Sequence, residues 1–233
     1  MNQASFRFLD DLDFFLRPSL RGQAITLTFG SDQSVKHLVE SLGVPHTEIG
    51  DIHVDGQLVG FGYLVCNGEQ VVAGGVEPER CVNEPRFIID GHLGRLASHL
   101  RMLGFDSLYN NKYQDDELVA ICVRENRILL SRDRHLLMHK IIVQGYCLRS
   151  LNSDEQIQEV VRRYALQDWI KPFQRCIRCN HPLEPVSKEQ VLHRLEPLTR
   201  LYFEEFHICP ACEQVYWKGS HVEHMLELVN QLR

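Results

Sequence analysis

Two short apolar runs in the middle of the chain each lead to an aspartate, and they constrain the fold more than any other feature. Phe87–Ile89 is followed by Asp90, and residues 128–130 are followed by Ser131, Arg132 and Asp133. Apolar runs of this length, bounded by charge, are typical of strands buried in a parallel sheet. Ligands of such sheets bind beyond the carboxyl ends of the strands. We therefore expect Asp90 and Asp133 at one edge of a sheet.

The segments between and beyond these runs alternate strand and helix patterns. Four leucines keep helical spacing after Asp90, and Gly104 follows them as a C-cap residue: Leu93, Leu96, Leu100 and Leu103. Residues 105–109 predict the next strand. A further strand is expected in 141–143 or in 146–149. This alternation predicts right-handed crossovers and a parallel sheet with flanking helices, which is an α/β fold.

Acidic residues at the predicted strand ends point to a divalent cation. Asp115 begins a predicted helix between the two strands and is our choice for a third acid beside Asp90 and Asp133, with Asp116 as its competitor. Like charges at neighbouring strand ends repel unless a cation separates them. The alternatives stay open, because a lone aspartate is often a turn residue or a helix cap. A catalytic Mg²⁺ or Mn²⁺ is the expected cofactor. Asp154 is expected to cap a helix rather than to supply a fourth acid.

Arginines near these acids are candidates for binding a phosphate. Arg95 and Arg132 are the better candidates because they are nearest the acids in sequence, and Arg101 and Arg134 are weaker ones. Guanidinium groups match phosphate oxygens with paired hydrogen bonds. The alternative for each is an ordinary solvated surface arginine.

Residues 1–80 predict a small, separate β-grasp domain of the ubiquitin-like type. Alternating strands at 5–9 and 24–29, a helix capped by Ser34 and a hairpin around Asp55-Gly56 support this. The segment has 11 acidic and five basic side chains, whereas the rest of the chain is neutral, which supports a boundary near residue 80. We expect it to be a packing module or a module that binds a protein partner. An internal Gly74-Gly75 could serve sulphur transfer only after cleavage.

Two Cys-x-x-Cys pairs near the end of the chain predict a zinc site. Cys176 and Cys179 are separated by 29 residues from Cys209 and Cys212. Four thiolates suit tetrahedral zinc in a closed, structural site, and a dithiol redox role is the alternative. The long spacer is expected to hold strands or a hairpin. The other four cysteines are expected to be small buried apolar residues: Cys66, Cys81, Cys122 and Cys147.

The composition narrows the classes of function. The sequence contains no apolar run of the roughly 20 residues that cross a membrane, and its N-terminus lacks a signal pattern, so we expect a cytoplasmic protein without a membrane partner. The neutral charge balance after residue 80 argues against strong general binding of nucleic acid. Local arginine clusters could still bind RNA.

These motifs together resemble a known family. Residues 90–97 (D-G-H-L-G-R-L-A), 100–106 (L-R-M-L-G-F-D), 115–118 (D-D-E-L), 127–133 (R-I-L-L-S-R-D) and 216–221 (Y-W-K-G-S-H) are similar to the PIN-like ribonuclease family named after the C-terminal domain of Mut-seven exonucleases. Ser131 stands where threonine is commoner in that family. The first 80 residues, including G-V-P-H-T-E at 43–48, resemble the ubiquitin-like domain often fused to it.

The resemblance implies a PIN-like fold over 85–165, followed by a zinc ribbon over 172–233. It also implies metal-dependent cleavage of RNA, with Asp90, Asp115, Asp116 and Asp133 as candidate catalytic acids and Arg95 and Arg132 as candidate phosphate ligands. The alternative is a non-catalytic module that binds RNA or protein. The resemblance supports the predicted fold more strongly than the predicted activity, because one fold can serve many functions.

Overall fold

The computed structural model describes residues 1–78 and 84–230, with the side chains of His221, Leu228 and Val229 left out. The predicted burial of Cys81 lies outside the described residues. No helix in the described part of the chain combines the length and apolarity needed to span a membrane. The chain divides into two compact units, Met1–Glu77 with Ser131–Cys147, and Pro78–Leu130 with Leu148–Arg233.

The N-terminal residues form a five-stranded mixed sheet with one α-helix. The elements are β1 (Asn2–Phe8), β2 (Ile25–Phe29), α1 (Val35–Ser41), β3 (Ile49–Val54), β4 (Gln57–Val59) and β5 (Gln70–Gly75), with 3-10 turns at Asp10–Phe15, Pro18–Leu20 and His46–Glu48. The strand order is β2-β1-β5-β3-β4, with β1 and β5 parallel. Ser34 caps α1 by accepting from the His37 amide. The predicted β-grasp architecture is confirmed.

The Gly74-Gly75 pair lies inside this sheet rather than on a free tail. Gly75 pairs with Ile49 of β3, and its amide donates to an Asp10 carboxylate oxygen at 3.1 Å. A Cβ added to Gly50 would stand 2.6 Å from the Gly75 carbonyl oxygen, so glycine is required where the two strands approach. Sulphur transfer through Gly75 would therefore first need this end of β5 to be pulled out of the sheet.

The middle of the chain alternates strands and helices as its sequence predicts. Its elements are β6 (Phe87–Ile89), α2 (Gly94–Met102), β7 (Ser107–Tyr109), α3 (Asp115–Glu125), β8 (Ile128–Ser131), α4 (Arg134–Leu137), β9 (Gly145–Cys147) and α5 (Ser153–Arg163), followed by a 3-10 turn at Leu166–Trp169. β6 pairs in parallel with both β7 and β8. The three side chains of β6 are fully buried, which explains the continuous apolar run. The predicted α/β fold is confirmed.

Several local expectations change in the structure. β8 ends at Ser131, so Asp133 follows the strand as the N-cap of α4. Asn152 caps α5 and Asp154 lies inside its first turn, so the expectation that Asp154 is the cap is wrong. Cys122 and Cys147 are buried as expected, whereas Cys66 is exposed.

The last part of the chain is a three-stranded antiparallel sheet with short helices. It contains β10 (Glu184–Val186), α6 (Lys188–Val191), a 3-10 turn at Leu192–Arg194, α7 (Pro197–Tyr202), β11 (Phe206–Ile208), β12 (Val215–Tyr216) and α8 (Ser220–Asn230). The expectation of strands in the cysteine spacer holds only for β10 and β11. The remainder of the spacer is helical, because Ser187 forms a capping box with Gln190 and Pro197 opens α7.

Candidate functional site

Asp90 stands at the carboxyl end of β6, where the predicted site begins. Its amide donates to the Leu130 carbonyl oxygen at 3.0 Å, which extends the parallel pairing of Ile89 with Leu130 by one step. The residue is half-buried. Its own carbonyl accepts from the Leu93 amide at 3.0 Å and so forms the turn into α2. The Asp90 backbone is therefore fixed on both sides by regular structure.

Asp133 uses one carboxylate oxygen to begin α4. Oδ1 accepts from the amides of His135 at 2.8 Å and Leu136 at 3.4 Å, and the Asp133 amide donates to the Ser131 hydroxyl at 2.9 Å. Among the residues that the structure describes, Oδ2 accepts no hydrogen bond, and the side chain is exposed. The cap fixes the orientation of the carboxylate and leaves its second oxygen able to bind a cation.

Asp115 and Asp116 occupy the first turn of α3. Gln114 is the N-cap, and Glu117 completes a capping box by accepting from the Gln114 amide at 3.0 Å. Glu117 is therefore committed to the helix, whereas Asp115 and Asp116 are both exposed. An acidic first turn also stabilises the helix through its dipole, so a structural reason for these aspartates exists beside the functional one.

The acids do not form a preassembled chelate of three carboxylates. Within the described residues, the one group of three or more potential ligands whose donor atoms lie within 4.8 Å of one another is the cysteine quartet. Mg²⁺ needs no such cluster, because it keeps several waters and takes one or two carboxylates together with substrate phosphates. The absence of a group of three carboxylates among the described residues therefore does not argue against magnesium.

A cavity of about 760 Å³ opens directly after Asp90. Its wall consists of the α2 entry loop, Arg95, Tyr109 and residues at the start of α5. Gly94 makes room for the tyrosine, because a Cβ there would stand 2.7 Å from the Tyr109 hydroxyl oxygen, which donates to the Gly91 carbonyl at 3.0 Å. The wall contains Arg95 and His92 and no carboxylate. A lining of this charge suits an anionic group.

The four candidate arginines separate into two pairs. Arg95 and Arg132 are exposed, as a phosphate ligand requires. Arg101 is buried and donates to the carbonyls of Ser107 at 2.8 Å, Ile177 at 3.0 Å and Arg178 at 3.2 Å. Arg134 donates to the Phe15 carbonyl at 2.7 Å. The suggestion that Arg101 binds phosphate is wrong, because its guanidinium is buried against backbone carbonyls. For Arg134, which is half-buried, phosphate binding stays a prediction, although a carbonyl already takes part of its guanidinium group.

A largely buried ion pair next to the start of β7 was not predicted from the sequence. Arg127 donates two hydrogen bonds to the Asp106 carboxylate, from Nη1 to Oδ1 at 2.9 Å and from Nη2 to Oδ2 at 3.2 Å. The side-chain amide nitrogen of Asn180 also donates to Oδ1, at 2.7 Å. Burial alone would raise the pKa of Asp106, but hydrogen bonds from Arg127 and Asn180 outweigh it and lower that pKa. The network joins the parallel sheet to the first cysteine pair.

We expect Asp106→Asn to destabilise the protein by about 3 kcal/mol at neutral pH, because the buried Arg127 guanidinium then keeps only the more exposed Glu125, at 2.8 Å, as a carboxylate partner. The Asp106 pKa is lowered below its ordinary value of 3.8. The stabilisation is thus complete above that pH and is lost as the pH falls through the folded-state pKa. Chemical denaturation across pH measures it. Glu204→Gln, which breaks the exposed pair with Lys188, is the control and should cost at most about 1 kcal/mol. Equal effects of the two variants would contradict the assignment.

The four predicted zinc ligands converge at one point. Cys176 Sγ lies 3.5 Å from Cys212 Sγ, and Cys179 Sγ lies 3.4 Å from Cys209 Sγ, with all four sulfurs within 4.8 Å of one another. Zn–S bonds of about 2.3 Å in a tetrahedron place sulfurs roughly 3.8 Å apart, so the quartet fits a zinc ion. Four thiolates leave no open position on the metal. The cluster can bind zinc in the manner of a structural site.

The two cysteine pairs form turns of the same design. In the first turn the backbone amide of Asn180 donates to the Cys176 carbonyl at 2.8 Å. In the second turn the backbone amide of Glu213 donates to the Cys209 carbonyl at the same distance, so both bonds span four residues. Asn180 and Glu213 both have positive φ, at 68° and 59°. The repeated geometry makes the turns equivalent halves of one metal site.

Aromatic residues surround the cysteine quartet, and one of them is within hydrogen-bond distance of a cysteine thiol. The Tyr216 hydroxyl lies 3.1 Å from Cys176 Sγ. Burial alone would raise the Cys176 pKa, but hydrogen bonds from Tyr216 and neighbouring thiols lower it to about 6. Phe206 is buried with Val191, Leu195 and Val215, and Trp217 packs on that cluster. Phe206 and Tyr216 thus have structural positions around the cysteine quartet.

A β-grasp domain, an α/β domain with a parallel sheet and a cysteine quartet that can bind a metal define a modular protein of the ubiquitin-like plus α/β class. The family comparison agrees and is more specific. Residues 85–229 match the Mut7-C RNase domain, and residues 1–80 match the Mut7-C ubiquitin domain. The chain belongs to the Mut7-C RNase domain family and carries the ubiquitin-like domain of that name. No curated protein and no solved structure matches the chain.

Proposed function

We propose that this protein is a Mg²⁺- or Mn²⁺-dependent ribonuclease in which Asp90, Asp133 and Asp115 hold the metal, with Asp116 as the alternative to Asp115. The observation that carries the proposal is the Asp133 carboxylate. Its Oδ1 is fixed by the α4 amides, whereas Oδ2 accepts no hydrogen bond among the described residues and Asp133 as a whole is exposed. Membership of an RNase family supports RNA as the substrate.

The proposal that Asp90 and Asp133 bind the same cation is supported by the pairing of the strands that precede them. Asp90 pairs by its amide with Leu130, the third residue before Asp133. Carboxyl ends of parallel strands meet at one edge, where ligands of α/β sheets bind. A bound Mg²⁺ would lower the pKa of a water ligand and neutralise charge that develops on the phosphate.

The protein's own side chains bind and orient the RNA in this proposal. The cavity next to Asp90 takes a nucleotide whose phosphate faces Arg95, since its wall contains no carboxylate. Arg132 is exposed one residue before Asp133 and holds the flanking phosphodiester. Guanidinium groups bind such oxygens in pairs, which fixes the phosphate next to the acids.

Zinc has a structural role in the proposal. The quartet has no position for a substrate, and the buried Arg101 donates to carbonyls of its first turn, so the ribbon supports α2 rather than taking part in chemistry. The doubled Cys-x-x-Cys pattern suits metal binding rather than disulfides, which is typical of a reducing compartment, so we place the protein in the cytoplasm.

A non-catalytic RNA-binding module is the second candidate. The specific observation that favours it is that no three carboxylates form a metal-binding group among the described residues. The cavity beside Asp90 could bind an RNA phosphate without turnover. Divalent-independent binding of RNA with no cleavage would identify this function.

The test is cleavage of labelled single-stranded and structured RNAs by the zinc-loaded full chain with Mg²⁺, with Mn²⁺ or with EDTA. We expect cleavage only with the divalent ions, and recovery when Mg²⁺ is added back. The zinc content is measured in each sample, so that loss of the ribbon is not mistaken for loss of the catalytic metal. Cleavage that persists in EDTA, or binding with no product at high protein concentration, would overturn the proposal.

A further inference from the structure

The turn His46–Glu48 of the ubiquitin-like domain buries three consecutive polar residues. His46 and Thr47 are each 7% exposed, and Glu48 is 2% exposed. A buried carboxylate is costly unless hydrogen bonds compensate for the water it loses. The partners of this turn therefore show what the domain is built to contact.

Two of those partners lie about 100 residues later in the chain. The Glu48 Oε1 atom accepts from the Cys147 amide at 2.6 Å, and His46 Nε2 donates to the Ile142 carbonyl oxygen at 2.8 Å. His46 Nδ1 lies 2.7 Å from Glu40 Oε1, which fixes the ring from within the domain. Ile142 and Cys147 are themselves 1% and 2% exposed. Both sides of the contact are thus desolvated and paired.

Arg134 makes a third connection of the same kind. Its guanidinium donates to the Phe15 carbonyl at 2.7 Å and lies over the rings of Phe14 and Phe15, at 5.5 and 5.1 Å from their centroids. Charge-assisted hydrogen bonds and cation–π contacts are strongest where water is excluded. Phe15 is 2% exposed, so this connection is largely dry.

The segment that these contacts hold begins at the proposed metal ligand. Arg134 directly follows Asp133 and is the first residue of α4, the helix that Asp133 caps. Holding Arg134 fixes the first turn of α4, and the α4 amides in turn fix Asp133 Oδ1. Residues that orient a metal ligand typically change metal affinity by 10- to 100-fold when altered.

We propose that the ubiquitin-like domain acts within its own chain as a positioning element of the nuclease. Its docking surface, made by Phe14, Phe15, His46 and Glu48, takes residues 134–147 as its partner and so orients Asp133. This inference rests on the proposed function, because it assigns a purpose to the orientation of a metal ligand. The same surface is covered by the chain itself and is not open to a separate protein.

The test uses the zinc-loaded full chain and Mn²⁺ alone, without RNA, so that a lost phosphate contact cannot imitate the effect. Arg134→Ala and Glu48→Gln change the two sides of the docking surface. We expect each to raise the Mn²⁺ dissociation constant, by roughly tenfold for Arg134→Ala. Hydrogen exchange of the amides in 134–147 should also become faster. Lys140→Ala and Asp51→Asn, which change exposed charges of the same segment and domain, should match the wild type.

The outcomes separate this inference from the proposed function. Weaker Mn²⁺ binding and faster exchange in both variants support the positioning role. If Asp133→Asn abolishes Mn²⁺ binding but Arg134→Ala and Glu48→Gln behave as the wild type in both measurements, the inference is overturned and the proposed function stands. If the wild type binds no Mn²⁺ that depends on Asp133, the proposed function fails, and the positioning role fails with it.

Discussion

Cys209→Ser is expected to remove zinc from the protein and to lower its melting temperature by about 10 °C or more. Cys209 is fully buried and supplies one of four converging sulfurs. Structural zinc sites contribute roughly 10–16 kcal/mol of apparent binding free energy in small zinc-folded peptides. Each kcal/mol shifts the melting temperature by about 2–4 °C in a chain of 150–250 residues. Loss of even a few kcal/mol therefore gives a shift of this size.

The loss should extend beyond the ribbon. Asn180, next to Cys179, accepts from the Ser107 amide at 2.9 Å and donates to Asp106, so an unfolded turn would expose the buried pair with Arg127. Zinc content by elemental analysis and thermal unfolding are the measurements. Cys66→Ser changes an exposed thiol outside the quartet and should leave both unchanged. Full zinc content and an unchanged melting temperature in Cys209→Ser would refute the assignment.

Asp90→Asn is expected to reduce divalent-dependent RNA cleavage by roughly a thousandfold, with folding and zinc content intact. The metal contributes several kcal/mol to the transition state, and each 1.36 kcal/mol is a factor of ten in rate. Asparagine keeps the size of the side chain and removes the charge that holds the cation. The Asp90 backbone bonds to Leu130 and Leu93 do not involve the side chain, so the asparagine variant keeps both of them.

Rates under single-turnover conditions at saturating Mg²⁺ measure the effect. Asp168→Asn serves as the control, because this aspartate lies in the 3-10 turn after α5 and is not one of the proposed metal ligands. A parallel pair, Asp115→Asn and Asp116→Asn, decides which of the two contributes. Cleavage by Asp90→Asn at the wild-type rate would show that the acids were assigned wrongly.

Much of the fold was predictable because its determinants are local. The apolar runs of β6 and β8, the Ser34 cap of α1 and the end of α2 each follow from residues close in sequence. Gly104, with φ of 104°, directly follows the Leu103 C-cap of α2. The cysteine quartet followed from spacing alone. The capping preferences of asparagine and aspartate are close, so the sequence could not show that Asn152 rather than Asp154 caps α5.

Long-range partners explain what the sequence could not show. Arg101 and Arg134 are charged residues near the acids, and only the folded chain reveals that distant carbonyls occupy them. The Asp106–Arg127 pair and the contact between Glu48 and Cys147 likewise join residues 21 and 99 positions apart. Polar residues in such contacts follow no helical or strand period, so no sequence pattern marks them.

The most direct test of the account is a crystal of the zinc-loaded full chain soaked in Mn²⁺, with anomalous diffraction recorded on both sides of the manganese and zinc absorption edges. The account predicts a zinc peak at the cysteine quartet and a separate manganese peak bound by Asp90 and Asp133. A zinc peak at the quartet with no manganese at these two aspartates would contradict it.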